Sequence, residues 1–338
     1  MSFSSIVGQN ELKQRLGQAL TGNPGHAYIF IGPKGVGRTW IARTFAAALL
    51  CRQPGSDGAC GVCSSCRYFQ QQVHPDYREL QLQGKEKVIP VESVRRQIGA
   101  DLYMQPQLGQ RKVYLIAADD LNEQGQNALL KSLEEPPPYA IFLLTASGAD
   151  HLLPTIVSRA VLHIVSRRSP DEIMAILHDK GLDKNDAVNF FVRFSKGLPG
   201  TAIELAGNDW FSDLRKDTIR FFTGIPRMSR SDLLTTGFQF CDANRQHLGD
   251  ILNVMGSLIR DLLVLAGNGG REHLINDDHA AELNSFLSEY TGPEKVRRNL
   301  GLAWSAILAA RRGLALNASF EGLACNLMLA LRKELSYA

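Results

Sequence analysis

The stretch that most constrains the fold is HAYIFIGPKGVGRT at residues 26–39, a short apolar run followed directly by a glycine-rich loop. The loop fits the phosphate-binding pattern G-x-x-x-x-G-K-[ST], except that Arg38 stands where the pattern has lysine. The next segment, RTWIARTFAAALLC, has apolar residues at helical spacing. A strand, a loop and a helix in this order predict the beginning of an α/β domain with a parallel sheet.

The rest of the chain divides by its hydrophobic patterns. Apolar runs at KVYLIAA, AIFLLTA and AVLHIV alternate with helical segments, which predicts a parallel sheet with helices on both faces over residues 1–166. Short helical patterns without strands predict a small helical domain at 167–208. Only helical periodicity continues through 209–338, so we expect an all-α C-terminal domain there.

Charge and composition exclude several classes of protein. The 338 residues carry 37 basic and 34 acidic side chains, a net charge of +3, so any contact with nucleic acid must be local. The first residues lack the basic and apolar regions of a signal peptide, and no apolar run reaches the roughly 20 residues that span a bilayer. We therefore expect a cytoplasmic protein without membrane contacts.

The glycine-rich loop keeps the glycines that shape a phosphate-binding loop but lacks the lysine that contacts the phosphates. Gly32, Gly35 and Gly37 allow backbone N–H groups to turn toward phosphate oxygens, and Thr39 keeps the hydroxyl that would hold Mg²⁺. The planar guanidinium of Arg38 is larger than an ammonium group and cannot place one donor at the same spot. ATP and Mg²⁺ are therefore not expected to bind productively; the alternative is a loop that merely connects a strand to a helix.

The acidic half of a nucleotide site is also missing. In VYLIAADD, the positions where Mg²⁺-binding acids would be expected are Ala117 and Ala118. Asp119 follows, and in an extended strand it would lie about 6.6 Å beyond Ala117. The favoured interpretation is that Asp119 and Asp120 polarise the turn before a helix capped by Asn122. Losing both the lysine and the acids predicts a site without hydrolytic chemistry.

Four cysteines with the spacing C-x8-C-x2-C-x2-C form a candidate metal site: Cys51, Cys60, Cys63 and Cys66. Four thiolates at such short spacings can surround Zn²⁺ as a tetrahedron, and with every position filled by sulfur the zinc would be structural. The alternative is four reduced thiols in a loop, but PGSDGACGVCSSC offers no apolar core to bury them.

Taken together, these motifs resemble the clamp-loader ATPases of the AAA+ class that serve bacterial DNA polymerase III. The matching stretches, in chain order, are IVGQ, HAYIFIGPKGVGRT, the cysteine cluster, HPDY, NALLKSLEEPP and LLPTIVSRA. They cover the first 160 residues, whereas the remainder matches only in helical character and length. The resemblance implies an AAA+ domain with a zinc module inserted at 51–66, a helical lid domain and a C-terminal oligomerisation collar.

The same resemblance implies a role for one arginine. In this family a Ser-Arg-Cys motif donates an arginine to ATP held by the neighbouring subunit, and here the motif reads Ser158, Arg159, Ala160. Arg159 is thus implied as a catalytic arginine finger acting in trans, an effect worth about 10³ to 10⁵ in rate in related systems. The alternative is a surface arginine in an ordinary ion pair.

The family also implies function and partners. We expect a non-hydrolysing structural stator of the DNA polymerase III holoenzyme, in a hetero-oligomeric ring with gamma/tau and delta subunits, acting through that ring on the sliding clamp and primer-template DNA. Arg95 and Arg96 lie where clamp loaders present a helix toward duplex DNA, which implies phosphate contacts. The alternatives are an ATP-hydrolysing gamma/tau-type motor subunit with an atypical loop and, less in keeping with the charge, a free-standing DNA-binding zinc protein.

Overall fold

The computed structural model of the chain describes residues 2–82, 84, 86–184 and 186–336. They form two compact units, one of Met1–Ile176 with Gly197–Thr201 and one of Leu177–Lys196 with Ala202–Ala338. The first unit is α/β and carries every motif identified above, whereas the second is helical.

The first unit is built on a parallel sheet. Its strands are β1 (Ala27–Ile31), β2 (Tyr77–Leu80), β3 (Lys112–Ala117), β4 (Ala140–Ala146) and β5 (Val161–Ile164). They lie in the order β2-β3-β4-β1-β5, and every neighbouring pair is parallel. The four predicted apolar strands are confirmed. The edge strand β2 was not predicted, because its middle residues are the charged Arg78 and Glu79.

Helices cover both faces of this sheet, as predicted. They are α1 (Asn10–Thr21), α2 (Arg38–Leu50), α3 (Ser64–Gln70), α4 (Val91–Val94), α5 (Ala100–Leu102), α6 (Glu123–Glu134) and α7 (Pro154–Val157). Successive strand residues point to opposite faces, so Phe30 packs in the cluster that holds Phe45 of α2, while Ile29 packs in the cluster that holds Leu129 of α6. Both faces of the sheet are therefore buried in apolar cores.

The remaining secondary structure is helical. The helices are α8 (Pro170–Asp179), α9 (Val188–Phe194), α10 (Pro199–Ala206), α11 (Asp209–Gly224), α12 (Arg230–Asp232), α13 (Phe238–Ala243), α14 (Leu248–Ala266), α15 (Ala280–Ser288), α16 (Pro293–Ala315) and α17 (Phe320–Leu335). The predicted apolar face of α14 is buried, for example at Ile251, Met255 and Leu258. In the described part of the chain, no helix combines the length and apolar character needed to cross a membrane. The boundary predicted between 167–208 and 209–338 stays a prediction.

Candidate functional site

The glycine-rich loop connects β1 to α2 at the carboxyl end of the sheet. Gly32 N–H donates to the carbonyl of Ala146 at 3.1 Å, which fixes the loop on β4. Gly35 and Gly37 have φ angles of +85° and +100°, in the left-handed region that favours glycine. A side chain at Gly32 would place its Cβ 2.6 Å from the carbonyl oxygen of Val165. The three glycines are therefore required by the backbone itself.

Arg38, the altered residue of the loop, has a partner within the chain. Its Nη1 donates to Asp119 Oδ2 at 3.0 Å, and the two side chains are only 12% and 26% exposed. The other oxygen of Asp119 accepts bonds from the backbone N–H and the hydroxyl of Ser147, each at 2.8 Å. Burial raises the pKa of Asp119, but the bonds from Ser147 and the charge of Arg38 outweigh it and lower the pKa. The aspartate is therefore ionised and holds the guanidinium.

This contact corrects the expectation of an extended Asp119 about 6.6 Å beyond Ala117. Strand β3 ends at Ala117, and residues Ala118–Asp120 form a single 3₁₀ turn that redirects the carboxylate toward α2. The predicted cap is confirmed, since Asn122 Oδ1 accepts the N–H of Gly125 at 2.8 Å at the start of α6. Asp119 pairs with the loop arginine, which the turn-polarising interpretation did not foresee.

The loop is also contacted by the segment Gly197–Thr201 of the same unit. The carbonyl of Gly35 accepts the N–H of Gly200 at 2.8 Å. A Cβ at Gly35 would lie 2.9 Å from the hydroxyl of Thr201. The guanidinium of Arg38 is therefore paired with Asp119, and the carbonyl of Gly35 is hydrogen-bonded to Gly200.

The candidate arginine finger lies between α7 and β5. Nη1 of Arg159 donates to the carbonyl of Thr155 at 2.8 Å and to the hydroxyl of Ser158 at 3.3 Å. Its Nη2 is 2.9 Å from Glu134 Oε1, and 34% of the arginine side chain is exposed. The guanidinium is thus held in place while part of it remains accessible.

The four clustered cysteines meet at one point. The ligand atoms of Cys51, Cys60, Cys63 and Cys66 all lie within 4.8 Å of one another, and none of these cysteines is in a disulfide. The Cys51–Cys63 and Cys60–Cys66 sulfur pairs are 4.0 Å and 3.9 Å apart. A tetrahedron with Zn–S bonds near 2.3 Å has sulfurs about 3.8 Å apart. The cluster is therefore consistent with structural zinc.

Backbone N–H groups contact at least two of the sulfurs in this cluster. Cys51 Sγ accepts the N–H of Cys60 at 3.3 Å, and Cys63 Sγ accepts the N–H of Cys66 at 3.5 Å. Burial raises the pKa of the Cys63 thiol, but N–H groups of Arg52 and Cys66 outweigh it and lower the pKa to about 6. Since thiolates are the metal-binding form, at least one ligand is prepared for the metal.

His74 and Asp76 of the HPDY motif, to which the sequence assigned no role, tie the cysteine-bearing region to the rest of the unit. His74 Nε2 lies 2.8 Å from the hydroxyl of Ser65, which donates to the carbonyl of Leu50 at 2.6 Å. His74 Nδ1 accepts the N–H of Asp76, whose carboxylate accepts two N–H groups at 107–108, at 2.7 and 2.8 Å. A histidine and an aspartate shortly after a candidate metal motif are the signal in the sequence that could have identified them.

Arg95 and Arg96, the candidate phosphate contacts, begin a π-helical turn at Arg95–Gly99 that continues α4 into α5. Both side chains are exposed, and within the described ranges neither makes an ion pair or a hydrogen bond. They are accessible to an external anion, which leaves the predicted contact as a prediction.

A glycine-rich loop between the first strand of a parallel sheet and the following helix defines the class of P-loop nucleotide-binding folds. Within that class, residues 8–167 match the family described as "DNA polymerase III, delta subunit". The match includes the loop, the cysteine cluster and Arg159.

Individual relatives agree with this family. The chain is 34% identical over 221 residues to DNA polymerase III subunit delta' of Pseudomonas aeruginosa, covering 62% of each protein. It is 32% identical over 187 residues to subunit delta' of Escherichia coli, covering 55% of this chain and 56% of that protein. It is 37% identical over 162 residues to subunit tau/gamma of Haemophilus influenzae, covering 47% of this chain and 23% of that protein.

These similarities span less than two thirds of the length of the relatives. Within that span they confirm the predicted resemblance: the chain is similar to the delta' and tau/gamma subunits of bacterial DNA polymerase III.

Proposed function

We propose that the chain is a non-hydrolysing, delta'-type stator subunit of the DNA polymerase III clamp loader, which lends Arg159 to the ATP site of a neighbouring subunit. The observation that carries the first half of this proposal is the Arg38–Asp119 ion pair at the glycine-rich loop. The relationship to delta' subunits supports the second half.

The ion pair opposes nucleotide chemistry in the chain's own loop. A P-loop cation serves by attracting the β- and γ-phosphates, but the charge of Arg38 is already balanced by Asp119. To reach the guanidinium, a phosphate would have to displace a carboxylate that Ser147 also holds. Ala117 and Ala118 offer no ligand for Mg²⁺, so bound ATP would not be activated for hydrolysis.

Arg159 suits a role in a neighbour's site. A guanidinium delivered in trans stabilises charge that develops on the transferred phosphoryl group. Arg159 is partly exposed and makes no contact with the glycine-rich loop of its own unit among the described residues. Its accessible edge is therefore free to meet an anion supplied by another subunit.

The proposed architecture follows the predicted boundaries: an AAA+ domain at 1–166 with a zinc module at 51–66, a lid at 167–208 and a collar at 209–338. Zn²⁺ held by the four clustered cysteines would cross-link a loop that has little apolar core of its own. The His74 and Asp76 contacts would transmit that rigidity to α2 and to the 107–108 loop.

The proposed partners are gamma/tau and delta subunits in a cytoplasmic ring, with the sliding clamp and primer-template DNA reached through the assembled complex. Arg95 and Arg96 are proposed phosphate contacts because they are exposed and carry no ion pair within the described ranges. Such contacts position DNA without reading its sequence.

A second candidate function is that of an ATP-hydrolysing gamma/tau-type motor subunit. The 37% identity to a tau/gamma subunit and the retained hydroxyl of Thr39 favour it. Titrating the isolated chain with ATP and Mg²⁺ separates the two functions. We expect neither micromolar affinity nor turnover; finding both would establish the motor subunit.

Replacing Arg159 by alanine tests the role in trans. In the assembled loader, we expect Arg159→Ala to lower DNA-stimulated ATP hydrolysis at the neighbouring site by about 10³-fold or more, with the isolated chain folding normally. Arg15→Ala is the matched control, since Arg15 is also a surface arginine in an ion pair, with Glu11 at 2.5 Å. Unchanged turnover with Arg159→Ala would refute the proposed role.

A further inference from the structure

The ends of two helices converge on Arg159. Thr155, whose carbonyl accepts from Nη1, lies in the four-residue helix α7, and Ser158 follows that helix directly. Glu134, 2.9 Å from Nη2, is the last residue of α6. Helix carboxyl ends carry partial negative charge and attract cations, so this location suits a guanidinium.

The position of Glu134 at the carboxyl end of α6 does not stabilise its negative charge. A carboxylate in the last turn of a helix faces the negative end of the helix dipole, which is unfavourable. Among the described residues Glu134 forms an ion pair with Arg159, and of the three groups that contact this guanidinium it alone carries a formal negative charge. The structural benefit of Glu134 therefore lies in holding Arg159.

The contacts restrain the guanidinium without using all of it. A guanidinium has five N–H donors, two on each terminal nitrogen and one on Nε. Thr155 and Ser158 accept hydrogen bonds from Nη1, and Glu134 Oε1 lies 2.9 Å from Nη2 in an ion pair. Nε and Nη2 donate no hydrogen bond to any of the described residues. The N–H groups of Nε and Nη2 are therefore available to an oxygen of a phosphate.

We propose that Glu134 is a positioning residue that holds Arg159 ready for the nucleotide phosphate of the neighbouring subunit. The inference rests on the proposed function of Arg159 in trans. An arginine side chain that is free to rotate mostly populates rotamers in which the guanidinium does not face the phosphate. The ion pair restricts these rotamers before the neighbour's phosphate binds. Glu134 acts through Arg159 and does not itself touch the nucleotide.

The test uses the assembled, DNA-stimulated loader with four forms of this chain: wild type, Glu134→Gln, Arg159→Ala and the double variant. Glu135→Gln is the matched control, because Glu135 directly follows α6, is exposed and makes no ion pair within the described ranges. For each form, kcat and KM for ATP are measured, and the melting temperature of the isolated chain is recorded.

Glu134→Gln is expected to lower kcat about two- to fivefold, the range of a partly exposed ion pair, with KM for ATP unchanged. Glu135→Gln should leave both constants unchanged. In the Arg159→Ala background, Glu134→Gln should have no further effect, because its only route to catalysis has been removed.

Other outcomes overturn the inference in distinguishable ways. If Arg159→Ala lowers turnover but Glu134→Gln behaves like Glu135→Gln, Arg159 acts in trans without needing Glu134. If Glu134→Gln raises kcat, the ion pair sequesters the arginine instead of presenting it. If Glu134→Gln lowers turnover equally with and without Arg159, Glu134 acts through the fold. If Arg159→Ala itself leaves turnover unchanged, the proposed function is refuted instead.

Discussion

Replacing Asp119 by asparagine tests the ion pair that closes the glycine-rich loop. The substitution keeps the size of the side chain and its ability to accept bonds from Ser147, but removes the charge that faces Arg38. Arg38 would then keep a guanidinium that is only 12% exposed without its anionic partner. The substitution therefore measures how much the charge of Asp119 contributes to the free energy of unfolding.

The magnitude follows from the burial of the pair. Exposed ion pairs contribute about 0 to 1 kcal/mol, whereas breaking a fully buried pair costs about 3 to 5 kcal/mol. With exposures of 12% and 26%, the Arg38–Asp119 pair lies between these limits. We expect Asp119→Asn to lower the free energy of unfolding by about 1 to 3 kcal/mol at neutral pH.

The stabilisation by Asp119 should decrease as the pH falls. Because the pKa of Asp119 is lower in the folded chain, its stabilisation is complete above the unfolded pKa of about 3.9 and is lost as the pH falls through the lower folded value. Denaturant unfolding at pH 7 and at pH 3 should therefore show a large difference between wild type and variant at pH 7 and a smaller one at pH 3.

Asp120→Asn is the matched control. Burial and the neighbouring charge of Asp119 raise the pKa of Asp120, so its charge is unfavourable in the folded chain. Removing that charge should leave stability unchanged or slightly increased. If Asp119→Asn and Asp120→Asn have the same unfolding midpoint as wild type, the loop does not depend on the ion pair and the reasoning fails.

Two further predictions concern the metal and a buried histidine. The purified chain is expected to hold one zinc per molecule by atomic absorption, and Cys63→Ser should lose it while Cys325→Ser, outside the cluster, keeps it; full zinc in Cys63→Ser would contradict the assignment. Burial lowers the pKa of His163, whose Nδ1 has no hydrogen-bond partner among the described residues, so stability should fall as the pH drops below about 6.5. His163→Phe should reduce the decrease in melting temperature between pH 7 and pH 5. If the decrease is the same as in wild type, His163 is not its cause.

Local patterns in the sequence predicted the central part of the fold. The strands β1, β3 and β4 are buried on both faces and therefore appear as continuous apolar runs. Asn122 was predicted as a cap because capping depends on residues only a few positions apart. Strand β2 was missed because an edge position permits the charged residues Arg78 and Glu79.

The contacts that define the candidate site depend on the tertiary fold. Arg38 and Asp119 are 81 residues apart, and their pairing requires β3 to end at Ala117 and the chain to turn there. Glu134 belongs to a motif used for the family resemblance, but its contact with Arg159 depends on how α6 and α7 pack. The cysteine spacing was informative because all four ligands lie within a short segment, where covalent connection limits the geometry.

A carboxylate encoded in the chain differs from a nucleotide in one respect: it can never be diluted or consumed. Asp119 is tethered beside Arg38 at a fixed effective concentration, whereas ATP and ADP come and go with the metabolic state of the cell. The conformation of this loop would therefore be the same at every energy charge. In the ring proposed above, whose other members would cycle between nucleotide states, such a chain would provide an unchanging reference against which they move.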